Sequence, residues 1–120
     1  MGIYVDGFVL PVPQKKLVEY RKMARLAGKI YKELGALAYV ETVADDVTPG
    51  KWTSFPRSVK LKPGETVVFS YIVHKSRKDR DRINSQFMKD PRLKKYMDPK
   101  SMPFDGKRMF WGGFKSFVEL

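Results

Sequence analysis

Asp6, His74, Arg57 and Trp111 are the side chains of this 120-residue sequence whose types best suit small-molecule chemistry. Asp6 interrupts an otherwise apolar run, Ile3-Tyr4-Val5-Asp6-Gly7-Phe8-Val9-Leu10. A carboxylate there must be paired or solvated, because unpaired burial is expensive. It either faces a pocket, with Arg57 or Arg108 as its ion partner, or lies on an open face. His74 is the one histidine, at the end of the strongest strand pattern. It reads as a general acid–base group, as an axial haem ligand, or as a side chain hydrogen-bonded at a sheet rim. As catalytic residues, Asp6 or His74 would move a proton. As ligand-binding residues, Arg57 would hold an anionic group and Trp111 would wall a flat ligand. Trp52, Phe55, Phe104, Phe110 and Phe114 could join that wall, or equally pack a core or an interface. With one histidine and no cysteine, no metal site is expected. Asp105 in Phe-Asp-Gly reads as a turn-former. Gly112-Gly113 marks a bulge or a close backbone approach and lacks the spacing of a phosphate loop.

The elements that must position these residues follow from periodicity. Ile3 to Leu10 is a strand closed by Pro11 and Pro13. A helix starts near Pro13; Leu17, Tyr20, Met23, Ala24, Ala27, Ile30, Tyr31 and Leu34 form its apolar stripe, and Gly35 ends it. Ala36 to Ala44 is a second strand, with Leu37, Tyr39, Glu41 and Val43 on one face. Trp52 to Lys60, broken by Pro56, is irregular or an edge segment. Thr66 to Lys75 is a strand. Ser76 caps a helix through Lys89, and Asp90-Pro91 restarts a short one. The proline-rich stretch Met97 to Gly106 is a rigid loop. It delivers a last two-sided strand, Arg108 to about Val118, into the middle or seam of a sheet.

The order is that of an α+β, ferredoxin-like βαββαβ domain spanning 1–120, its antiparallel sheet covered by helices on one face. The strands are apolar on both faces, so a second sheet face remains to be buried. A homodimer packed sheet to sheet, a dimeric α/β barrel, answers that need.

The formal net charge is +11. Its carriers are spread over helix faces, Lys15, Lys16, Arg21, Lys22, Arg25, Lys29 and Lys32 on the first helix alone, which suits solvated surfaces. The first strand looks like the aromatic motif of RNA-recognition domains, but the third strand lacks their basic-Gly-aromatic signature, which disfavours nucleic acid. No basic-then-apolar leader and no run of about 20 apolar residues is present. The expectation is a cytoplasmic protein with no membrane segment and no cofactor.

Four stretches together carry a family resemblance: Tyr4-Val5-Asp6-Gly7-Phe8-Val9, Glu41-Thr42-Val43-Ala44-Asp45-Asp46-Val47, Thr53-Ser54-Phe55-Pro56-Arg57, and Met97 through Met109. The chain resembles the YbaA-like family, a bacterial family of unknown function, over essentially its whole length. The resemblance implies membership of the dimeric α/β-barrel superfamily, which includes cofactor-free monooxygenases of antibiotic biosynthesis, haem-degrading enzymes and small isomerases. None of their catalytic sets transfers residue by residue. The haem-degrading type uses Asn, Trp and His, and Asn84, Trp52, Trp111 and His74 do not fall at matching spacings. The expected function is binding, with oxidation or isomerisation, of a small aromatic or quinone-like ligand between sheet and helices. The alternative is a non-enzymatic dimer that binds a ligand or partner, with weak nucleic-acid contact a lesser option.

Overall fold

The computed structural model describes residues 2–120. Its elements run β1 (Tyr4–Pro13), α1 (Leu17–Leu34), β2 (Ala38–Val43), α2 (Phe55–Ser58), β3 (Glu65–His74), α3 (Arg77–Phe87) and β4 (Phe110–Lys115), with short 3-10 turns between. The four strands form one sheet in the order β2-β3-β1-β4, with every neighbouring pair antiparallel. This is the ferredoxin-like arrangement expected from the sequence.

β1 runs three residues further than its prolines suggested. Gln14 N–H donates to the Gly64 carbonyl at 2.8 Å. Strand alternation therefore turns positions 11 and 13 toward the opposite edge, where β4 has already ended with Phe110 beside Val9. The missing donors of Pro11 and Pro13 fall where no ladder partner exists, so the prolines fit within the strand. β4 is a shorter strand than expected and lies at the sheet edge, not in its middle.

Gly35 ends α1 as anticipated, at φ 115°, where a side chain would be strained. Its N–H donates to Lys32 O at 3.2 Å and that of Ala36 to Tyr31 O at 3.0 Å, the paired bonds of a Schellman motif. Ser76 Oγ accepts from Asp79 N–H at 3.0 Å and so caps α3, a contact worth about 1 kcal/mol. The segment expected to be irregular or an edge strand instead contains α2. Ser54 Oγ accepts from Arg57 N–H at 3.2 Å, and Pro56 sits in the first turn, where a missing donor costs nothing.

Alternation places Tyr4, Asp6, Phe8, Leu10 and Val12 of β1 on the face toward α1 and α3. There Leu10, Val12, Tyr20, Ala24 and Val68 make one core cluster, and Tyr31, Ala36, Ile72 and Ile83 another. Phe104 and Met109, from the loop before β4, pack against the first. Within that loop Asp105 Oδ1 accepts from Lys107 N–H at 3.0 Å, which confirms it as a turn-former.

The other sheet face is only partly covered. Val59, beside α2, packs with Val9 and Val67 at one end. Phe69, Phe110 and Phe114 remain 42%, 48% and 66% exposed.

Candidate functional site

Asp6 and His74 come together as a buried cluster beneath α3. Both are shut off from solvent, and Asp6 Oδ2 lies 3.3 Å from His74 Nε2 without hydrogen-bonding geometry. The ion partner of Asp6 is neither Arg57 nor Arg108. It is Arg80, whose Nε donates to Asp6 Oδ1 at 3.1 Å while its Nη2 donates to Tyr4 Oη at 3.2 Å. The guanidinium also lies over the Tyr4 ring, 4.9 Å from its centroid. Gly113 makes this possible. It pairs with Asp6 across the ladder, and a Cβ there would stand 2.2 Å from both Arg80 Nη2 and Tyr4 Oη. The close backbone approach foreseen at Gly112-Gly113 is thus located at Gly113. Burial, opposed by Asp6, holds the His74 imidazole below its ordinary range, so it is neutral at pH 7.

Arg57 and Trp111 do not join this cluster. The Arg57 guanidinium donates to the carbonyls of Pro49 and Gly50, at 2.9 and 2.8 Å, and rigidifies the loop before α2. Trp111 stands on the helix side of β4, 54% exposed, stacked on Phe8 with ring centroids 6.0 Å apart. Arg108 pairs with Glu65 at 2.7 Å and with Asp105 at 2.9 Å.

The space between sheet and helices belongs to other residues. A cavity of about 220 Å³ is walled by Phe8, Met23, Tyr31, Ile72, Phe87 and Met109, among others. Its polar groups are Glu41, Tyr20, Tyr39 and Ser70. Glu41 accepts from Tyr20 Oη at 2.7 Å through Oε1 and from Tyr39 Oη at 2.5 Å through Oε2. Burial first, and then the Glu41 carboxylate, pushes both phenols well above their usual range, so each stays a neutral donor. Ser70 is buried and lines the cavity beside Glu41, its cross-strand neighbour.

Tyr20, Glu41 and Tyr39 also border a second, outer cleft of about 900 Å³ between α1 and β2. The Tyr39 ring reaches its place because Gly28 of α1 leaves room for it. Sequence reasoning had placed Tyr39 and Glu41 on one strand face without giving them a role. The available signal was the one that singled out Asp6, a lone carboxylate on an apolar face. Among the described residues no group of three or more His, Cys, Asp or Glu side chains could hold a metal ion. Nor, among the described residues, is any helix long and apolar enough to cross a membrane.

Comparison with known proteins gives family but not activity. Residues 3–106 match a family model described as a protein of unknown function, DUF1428. The chain is 50% identical over 116 residues, 97% of each chain, to the uncharacterized protein YbaA of Escherichia coli K12, and equally to that of Shigella flexneri. Among solved structures it is similar to two dimeric ferredoxin-like proteins from an uncultured marine organism. One has a TM-score of 0.63 at 11% identity, covering 100% of both chains. The other has a TM-score of 0.62 at 12% identity, covering 100% of this chain and 92% of that one. At such identities the likeness is one of fold.

Proposed function

The chain belongs to the DUF1428 family of proteins of unknown function, and from that premise we propose that it binds a small, flat, mostly apolar molecule between sheet and helices. The observation that carries this reading is the inner cavity itself. Its wall is aromatic and aliphatic, and its few polar groups, Glu41, Tyr20, Tyr39 and Ser70, converge on one side. Apolar enclosure with a handful of oriented polar groups is the general character of small-molecule sites.

The chemistry that suits this arrangement is proton transfer. Glu41 accepts a proton from an activated C–H of the ligand and returns it to a second carbon, which isomerises the ligand with no outside oxidant. Tyr20 and Tyr39 fix the carboxylate, and Ser70 donates to a ligand carbonyl as charge develops there. Asp6 and His74 act at one remove. His74 meets the edge of the Tyr31 ring, 6.5 Å between centroids, and Tyr31 lines the cavity. Trp111 backs the wall through Phe8. Arg57 belongs to the other sheet face, where the exposed Phe69, Phe110 and Phe114 support a homodimer packed sheet to sheet. The dimeric state named for both fold neighbours agrees with that assembly.

Native mass spectrometry of protein purified gently from its host tests the reading. The expected result is a dimer carrying a small molecule, with the added mass lost in Ser70→Leu, which fills the cavity, while the dimer persists. Equal retention by Ser70→Leu would place the molecule elsewhere. Turnover of the recovered molecule by wild type but not by Glu41→Gln would separate an isomerase from a carrier.

A further inference from the structure

Six of the eight arginines are anchored. Arg77, Arg80, Arg82, Arg92 and Arg108 hold carboxylates, and Arg57 holds backbone carbonyls. Arg21 and Arg25 have neither kind of partner among the described residues. With Lys29 they follow at i, i+4 and i+8 along α1, and all three line the outer cleft. Like charges at that spacing repel and weaken a helix, so the stripe costs stability unless something anionic meets it.

The floor beneath these cations is apolar, made by Leu17, Ala24, Gly28, Val43 and Val68. At its inner end stand Tyr20, Glu41 and Tyr39, which also border the inner cavity. Glu41 is the carboxylate of the cleft lining, and each of its oxygens accepts from one tyrosine hydroxyl. The outer cleft therefore presents positive charge above an apolar floor that leads to the inner cavity.

We propose that the ligand is an amphiphilic anion, with its flat apolar body in the inner cavity and its carboxylate or similar acidic group in the outer cleft against Arg21, Arg25 and Lys29. This rests on the inner-cavity reading and adds to it the class of the ligand. The two forked guanidiniums suit a planar or tetrahedral oxyanion. Their exposure makes the contact sensitive to salt, so it sets selection among ligands and rate of capture more than raw affinity.

Two fluorescent probes with the same ring skeleton separate the ideas: 8-anilinonaphthalene-1-sulfonate, an anion, and N-phenyl-1-naphthylamine, its neutral counterpart. Both are titrated into the full-length protein at low salt. The expected result is that the sulfonate binds about tenfold more tightly, a preference that fades as salt is raised. Arg21→Gln/Arg25→Gln, on an exposed helix face, should leave the neutral probe unchanged and bring the two within about twofold of each other. Ser70→Leu should weaken both. Equal binding by wild type, or a preference that survives the double substitution, overturns the anionic assignment and spares the cavity. Binding of both probes unchanged by Ser70→Leu overturns the cavity reading, and the ligand class with it.

Discussion

The Tyr39 ring occupies the place of a side chain on Gly28: a Cβ there would stand 2.5 Å from Tyr39 Cδ1 and 2.8 Å from Cε1. In an exposed helix, Gly→Ala stabilises by about 1 kcal/mol. Here the overlap reverses the sign. Gly28→Ala should lower stability by about 1–3 kcal/mol, as overpacking of a filled site does. It should also loosen Glu41, which Tyr39 holds. Urea denaturation reads the first effect. Weaker binding of the neutral naphthylamine probe reads the second.

Arg80 is the charge that makes burial of Asp6 tolerable. Arg80→Ala leaves a buried carboxylate unpaired and should cost about 3–5 kcal/mol. Gly113→Ala, which intrudes on the guanidinium and on Tyr4, should lose a part of the same amount. The double variant Asp6→Asn/Arg80→Met should recover much of the loss, because neither charge then remains. Chemical denaturation of the set checks the order.

His74 gives the protein a weakness toward acid. Burial lowers its pKa, Asp6 and Asp79 oppose that, and Arg80 adds to it; Tyr4 and Tyr31 are the neutral polar neighbours. The unfolded chain takes up a proton near pH 6.5, its ordinary value, while the native state still resists. Stability should therefore be complete above about pH 6.5 and fall as pH drops below it, down to the lower native pKa. His74→Gln does not titrate. The stability difference between pH 7.5 and pH 5 should be smaller in that variant than in wild type.

Exposed aromatic rings on the open sheet face predict the assembly. Phe69→Glu/Phe114→Glu places charge in the middle of the proposed interface and should yield a monomer by light scattering after gel filtration. The inner cavity lies on the opposite side of the sheet and should keep its affinity for the neutral probe. A dimer that survives both substitutions would place the contact elsewhere.

Much of the architecture was legible because it rests on local rules. Apolar spacing gave both long helices, and Gly35 and Ser76 marked their ends through backbone geometry that few other residues satisfy. The resemblance to YbaA agrees with 50% identity to that protein. Two of the departures involve proline. Pro11 and Pro13 stay inside a strand, and Pro56 opens a helical turn, because in each place the absent donor had no partner to lose. Asp6 was legible as a carboxylate that must be paired or solvated, but Arg80, its partner, fell among the charges read as spread over solvated helix faces. Nothing in its own neighbourhood distinguishes it; Gly113, distant in sequence, clears its path. Tyr20, Tyr39 and Glu41 meet across a helix and a strand, a convergence that periodicity along either element does not reveal.

The position of β1 in the sheet sets the timing of folding. It begins the chain, yet both its neighbours, β3 and β4, come from the second half. As synthesis proceeds from the N-terminus, no partner for β1 exists until β3 has emerged, whereas β2 and β3 can pair across a shorter loop. Asp6 waits longer still, since its cation lies 74 residues away along the chain. Contacts of that separation must overcome loop-closure entropy before they return any stability, which slows the search. An apolar strand held unpaired through that interval is what chaperones bind and what aggregates when they are scarce. The carboxylate at its centre keeps the waiting strand hydrated, and it surrenders its water only when Arg80 arrives to replace it.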